Sequence, residues 1–355
     1  MSDAVAFLAS LADRVAMALP GNAHAPPFAP VPSGGFALTR KGIGQREYML
    51  VDQLAQTFPL ATFTEVLADA DLRAARLTGL LGGRADGYRW AREDDETPDW
   101  YPQGITGSSD ADPRGLVCGR AVHAVSWYSK RGRGARVSFV DARPEPRYLH
   151  VLLVRPTGSE RFELVKLHAG GIAWLGDLLY VADSSRHGLR VFDTRLVLSV
   201  PRSRRADAHG HRYMLPEVGC YRSTGDHLAY SFLSLDRAAR SLLVGEYRQA
   251  PGGRIVRWPV DLDSGLLAAS SPTEACVSPV DRLQGATTVG GVVLASSSRM
   301  GGRLYVGRPG ARTRKHFWWP YLPEDLYQTP GELYSLTEAP GRRMVFGVAL
   351  SELGL

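Results

Sequence analysis

Cysteine, lysine and asparagine are scarce in this 355-residue chain, and long apolar runs are missing altogether. The three cysteines, Cys118, Cys220 and Cys276, are odd in number, far apart and in no C-x-x-C arrangement. They support neither a disulfide framework nor a zinc site, and read as buried thiols of a reducing compartment. The only lysines are Lys41, Lys130, Lys166 and Lys315, so arginine carries nearly all the positive charge behind the net +6. Asn22 is the sole asparagine, against abundant Ala, Gly, Arg and Pro. That balance points to GC-rich coding as much as to a polyanionic partner. No apolar run approaches the ~20 residues of a membrane-spanning helix, so no membrane partner is expected. Absent too are G-x-S-x-G, H-E-x-x-H and a Gly-rich phosphate loop, and the enzyme classes built on them lose support.

What is present is the composition of a globular protein, 44% hydrophobic and 22% charged. Residues 4–19 are apolar and Ala23-His24-Ala25 has the look of a cleavage site. However, Asp3 and the pair Asp13-Arg14 are the reverse of what a secretory signal needs. Phe7, Leu8, Leu11 and Val15 fall at helical spacing, which predicts an amphipathic helix in a cytoplasmic protein. Prolines at 20, 26, 27, 30 and 32 predict a linker. A helix is expected at about 63–81, opened by a capping box at Thr62 and Glu65 and closed by Gly82-Gly83. Glu93-Asp94-Asp95-Glu96 reads as a solvated run.

From Trp100 onward the pattern is short strands and turns. Gln103-Gly104-Ile105-Thr106 and Gln284-Gly285-Ala286-Thr287 each open a unit of short strands, and His168-Ala169-Gly170-Gly171-Ile172-Ala173-Trp174 opens another. Units repeating at tens of residues with only short strands indicate a radial architecture, the β-propeller. Five strand groups can be counted, with an insertion at 201–227. The last group needs a closing strand, and residues 36–61 are the expected donor. The expected fold class is all-β, a five-bladed β-propeller with an N-terminal helical extension. Its domains are 1–99, a helical or irregular extension packing on the propeller, and 100–355, the propeller itself.

On these units, and on Trp100-Tyr101-Pro102-Gln103-Gly104-Ile105-Thr106, His168-Ala169-Gly170-Gly171 and Pro323-Glu324-Asp325-Leu326, the chain resembles five-bladed β-propeller proteins and a bacterial propeller group of unassigned reaction. The resemblance spans roughly residues 100–350. It implies a fold and a central channel, and it names no reaction, since propellers host many.

Inner strands of a propeller converge on one channel mouth. Aligning them brings together Gln103, His168, Gln284 and Glu324 or Asp325, with Ser231 or Ser234 from the third unit. His168 has the intrinsic pKa for acid–base work, and Glu324 or Asp325 is its expected charged partner. Gln103, Gln284 and Ser231 would bind and orient substrate, and Trp174 and Trp319 would wall a pocket for a ring-shaped ligand. The competing reading is a channel lined with polar groups that serve only ordered water. Asp183, Glu246 and Glu338 are equivalent second-strand carboxylates, best explained by salt bridges to nearby arginines. His209-Gly210-His211 lacks a third metal ligand nearby. The arginine clusters come with no recognition helix or RNA-binding motif, so nucleic acid is not an expected partner.

The leading expectation is thus a cytoplasmic enzyme acting on a small organic molecule in the channel by acid–base chemistry, without a cofactor. Cyclisation, isomerisation, elimination and hydrolysis stay open. The alternatives are a non-catalytic propeller that binds a glycan or a protein partner, and a metal-dependent hydrolase with a metal at the channel centre.

Overall fold

The computed structural model of the chain describes residues 24–226, 228–299 and 301–355; the helix expected at residues 4–19 lies outside them. The fold is mostly β and propeller-like. Strands Trp100–Gly107, Ile172–Leu175, Phe232–Asp236, Leu283–Val289 and Pro323–Gln328 each lead an antiparallel run. These leading strands pack side by side in that order, and the last returns to the first. Strand after strand is buried along its whole length, Ala135–Asp141 and Leu178–Asp183 among them. Both faces are covered because an apolar cluster joins each run to the next. Trp174 and Phe139 lie in the cluster between the first and second runs, Leu233 and Tyr180 between the second and third. Phe232 and Ala286 link the third to the fourth, Leu326 and Leu304 the fourth to the fifth, and Tyr327 and Val125 the fifth to the first.

Residues before Trp100 are woven into these sheets. His24–Ala25, Ala29–Val31 and Leu38–Gly42 add outer strands to three of them. Ala85–Arg89 pairs with Met344–Ala349, and Ala75–Gly79 lies outside it. The strands that complete the last run therefore come from 75–89. The expected donor, 36–61, instead holds the helix Gln45–Ala55 and a strand on another sheet.

Three local expectations are corrected. The helix expected over 63–81 spans only Phe63–Ala68. Its capping box is present, with Thr62 Oγ1 accepting from the Glu65 amide at 3.2 Å. Beyond Asp69 the apolar positions suit an edge strand equally well, and pairing with neighbouring strands decides the outcome. The run Glu93–Glu96 is not wholly solvated, since Asp94 and Asp95 are buried. The insertion 201–227 contains the long strand Tyr213–Ser223, antiparallel to Gly188–Asp193 and parallel to Arg147–Gly158. Pro216 and Gly219 disguised it as loop. Gly219, at φ 157°, is required there because a Cβ would come within 2.5 Å of the Ile43 backbone nitrogen.

Candidate active site

Three leading strands carry the same irregularity at their N-terminal ends. The register shifts between Pro102 and Ile105, between Leu283 and Gly285, and between Pro323 and Leu326. The residues set free from regular pairing include Gln103, Gln284, Glu324 and Asp325. A β-bulge bends its strand and re-aims a side chain, and bulges gather beside active sites. Just upstream, Arg282 and Leu322 adopt φ of 51° and 48°, and Ala169 and Tyr230 adopt 56° and 23° before the other two leading strands. Non-glycine residues in this region are uncommon and mark a chain held in place by its surroundings. The glycines of the repeated tetrapeptide allow the strands to close in. A Cβ on Gly104 would sit 2.9 Å from the Gly171 Cα, and one on Gly285 would sit 2.7 Å from the Asp325 Cα.

The bulges bring two glutamines onto two carboxyls. Gln103 Nε2 donates to Glu338 Oε2 at 2.8 Å, and Gln284 Nε2 donates to Glu324 Oε1 at 3.3 Å and to Ser298 Oγ at 3.2 Å. Gln103 and Glu324 are each only 2% exposed. Burial raises the Glu324 pKa well above the ordinary carboxyl value, and the nearby charges of Glu338 and Asp325 add to the shift. Glu338 is also raised by burial, with the Gln103 hydrogen bond, Lys130 and Arg343 opposing. Around them stand Tyr128, whose pKa is pushed up to about 12 by burial and then by Glu338, and Lys130, whose ammonium lies 3.6 Å above the Tyr101 ring.

His168 belongs to the same neighbourhood, with its ring 4.4 Å from that of Tyr128. Its side chain reaches the surface, yet the surrounding protein strips it of water and Lys130 adds like charge, so its pKa is lowered. Among the described residues no hydrogen bond or ion pair joins it to Glu324 or Asp325. The strand that follows it shows no such register shift, and Gly170-Gly171 separate His168 from its first paired residue, Ile172. Ser231 abuts this strand, as a Cβ on Gly170 would meet its carbonyl oxygen, and its hydroxyl donates to Ala229 O at 2.9 Å.

Asp325 is fully buried. Its Oδ2 accepts from the Ile105 amide at 3.3 Å, and the amides of Leu326 and Ile172 also favour its charge. Burial outweighs them and holds its pKa well up, while Oδ1 has no partner. Asp325 thus ties three leading strands together. Trp174 and Trp319 lie between sheets: Trp174 against Phe63 and Phe139, Trp319 against Phe346.

Glu338 is the residue that sequence reasoning set aside. Its counterparts obey the salt-bridge expectation, Asp183 with Arg190 at 2.9 Å and Glu246 with Arg254 at 2.6 Å. Glu338 accepts from Gln103, and the Arg343 guanidinium beside it donates to its backbone carbonyl at 2.9 Å. The available signal was its place at the end of a second strand beside the glutamine-bearing strand. Among the described residues no three His, Cys, Asp or Glu side chains are grouped to hold a metal ion.

No protein-family model matches the chain, and no curated protein does. Among solved structures it is similar to hydrazine synthase of Kuenenia stuttgartiensis, at 15% identity over 68% of this chain and 74% of that one, with a TM-score of 0.36. BamB from Moraxella catarrhalis aligns at 12% identity over 74% and 66%, with a TM-score of 0.31. The computationally designed protein Ika8 aligns at 9% identity over 78% and 71%, with a TM-score of 0.28.

Proposed function

We propose that the chain is a five-bladed propeller whose channel mouth is the active site of an enzyme, one that moves protons on a small organic molecule. The observation that carries this reading is the pair Glu324 and Glu338: two carboxyls with raised pKa, electrostatically coupled, each held by a glutamine amide and, among the described residues, neither neutralised by an ion pair. A carboxyl kept protonated near neutrality is a general acid in waiting, and a partner of different environment takes the complementary role. Glu324, the more deeply buried, is assigned as the acid. Glu338, with Lys130 and Arg343 favouring its charged form, is assigned as the base. Gln103 and Gln284 orient the two carboxyls, His168 exchanges protons with solvent at the rim, and Asp325 is a positioning residue that fixes the strands. The reaction class is one in which a proton leaves one atom of the substrate as another is delivered: isomerisation, elimination or cyclisation.

The test is to incubate the protein in D2O with a panel of hydroxy acids, oxo acids, lactones and sugars, following deuterium incorporation and conversion by NMR. Turnover of at least one compound is expected, with losses of about 10²–10⁴ in Glu324→Gln and Glu338→Gln. His168→Ala is expected to lose less and to shift the pH profile. A compound that binds in a Glu338-dependent way and is never converted would turn the mouth into a binding site and remove the catalytic reading.

A further inference from the structure

We propose that an aromatic groove between the fourth and fifth runs is a second binding site, separate from the carboxyl pair, and that its ligand is a planar ring bearing a carboxylate or phosphate. The sequence Phe317-Trp318-Trp319-Pro320-Tyr321 places four aromatic residues around one proline, between strands Thr313–His316 and Pro323–Gln328. They line a cavity of about 410 Å³, within the size range of small-ligand sites. Trp319 is the fixed wall. It is buried, its indole N–H donates to Ser296 Oγ at 3.2 Å, and its ring meets Phe346 edge-on at 5.0 Å. Trp318 leans on it at 5.8 Å and is itself only half-buried, while Tyr321 is 47% exposed. A rigid wall beside two partly exposed aromatic rings is a stacking platform.

The charges at the groove select the ligand. Arg84 stands 5.6 Å from the Trp318 ring, and its only ion pair among the described residues is a long one, 3.8 Å to exposed Glu352. Arg342, also lining the groove, is exposed and in no ion pair among the described residues. Among the described residues the lining includes no Asp, Glu, Asn or Gln. A neutral sugar needs such acceptors for its hydroxyl protons, so it fits poorly. A flat ring can stack on Trp318, and an anionic group beside it meets two guanidinium forks suited to carboxylate or phosphate. Neither Glu324 nor Glu338 lines this groove, so the inference stands apart from the proposed acid–base site.

Calorimetric titration of the full chain with 2-naphthoate, 2-naphthyl phosphate and uncharged 2-naphthalenemethanol tests it. At least one of the two anions should bind saturably at one site, with the tighter one identifying the preferred group, and the alcohol should bind about tenfold more weakly. Trp318→Ala should weaken the anion about tenfold or more, Arg342→Gln about three- to tenfold, and Glu338→Gln not at all. Should Trp318→Ala fail to fold, the surface variants Arg342→Gln and Arg84→Gln carry the test. The proposal is overturned if neither anion binds, if the alcohol binds as well as the anions, or if the arginine variants leave affinity unchanged. Loss of binding in Glu338→Gln alone would overturn it as well, by assigning the probe to the channel mouth.

Discussion

Asp94 and Glu324 are both buried carboxyls, 8% and 2% exposed, and their surroundings could hardly differ more. Asp94 accepts from Arg136 at 2.6 Å, from the Tyr148 hydroxyl at 2.7 Å and meets His150 Nε2 at 2.9 Å. Burial alone would raise its pKa; the charges and hydrogen bonds of His150, Arg136 and Tyr148 overcome it, and the pKa is lowered. Arg136 in turn stacks on Trp100 and Trp127 at 4.4 and 4.9 Å. Glu324 has one glutamine amide and two neighbouring acids, and its pKa goes the other way. A fully paired acid at the base of the short helix Arg92–Glu96 clamps that helix to the sheets. An acid left without a cation costs stability, and such strain concentrates where a protonation state is used.

The largest expected effect breaks the paired side. Arg136→Met leaves Asp94 buried with one cationic partner fewer, and a loss of about 3–5 kcal/mol is expected in urea denaturation. Glu324→Gln should do the reverse, leaving stability unchanged or improved at pH 7 while turnover falls. Equal losses in the two variants would dissolve the distinction between clamp and site. Arg343 links the regions, donating to Asp94 O at 2.7 Å and to Glu338 O at 2.9 Å. Effects at the two places are therefore expected to couple, and a double variant is the measure of it.

The pH dependence separates the two acids by sign. Glu324 holds its proton more tightly folded than unfolded, so above the unfolded carboxyl pKa of about 4.3 the folded state binds more protons. Its contribution makes stability fall as pH rises from there to the folded pKa, and Glu338 adds the same sign. Asp94 has a lowered folded pKa, so its contribution is present above the unfolded value of about 3.9 and disappears as pH falls through the folded one. Glu324→Gln should flatten the decline on the neutral side and leave the acid limb as it was. An unchanged neutral limb would mean that Glu324 ionises normally.

The sequence made one of these regions far more legible than the other. Gln103-Gly104 and Gln284-Gly285 announced strand starts because tight backbone approach demands glycine at a repeated position. Hence the leading strands could be located and the polar side chains aligned. Within 24–99 only 36–61 was marked as a strand donor, and its strand joined a different sheet; nothing local marked 24–35 or 72–89, since edge pairing depends on partners far along the chain. Asp94 sat in a run of four acids that looks solvated until Arg136, His150 and Tyr148 are folded against it. Glu338 was hidden for a similar reason: Asp183 and Glu246, at matching places, do bind arginines, and only the neighbouring glutamine distinguishes the third.

The smallest effect sharpens the contrast most, because it concerns what a neutral partner does that a cation does not. The Gln103 amide offers Glu338 a hydrogen bond without a charge, so it orients the carboxyl and lowers its pKa only in part against burial. Gln103→Met keeps the approximate volume and removes the donor. Glu338 should then rise further in pKa, because the group opposing burial is gone. Stability near neutral pH should change by only about 1 kcal/mol, the worth of one hydrogen bond, since Lys130 and Arg343 remain beside the Glu338 carboxyl. Carbon-13 titration of the glutamate side chains reads the first effect, and denaturation reads the second. If Glu338 titrates as before, the amide does not set its proton affinity, and the glutamine–carboxylate pairing cannot be what prepares the mouth for proton transfer.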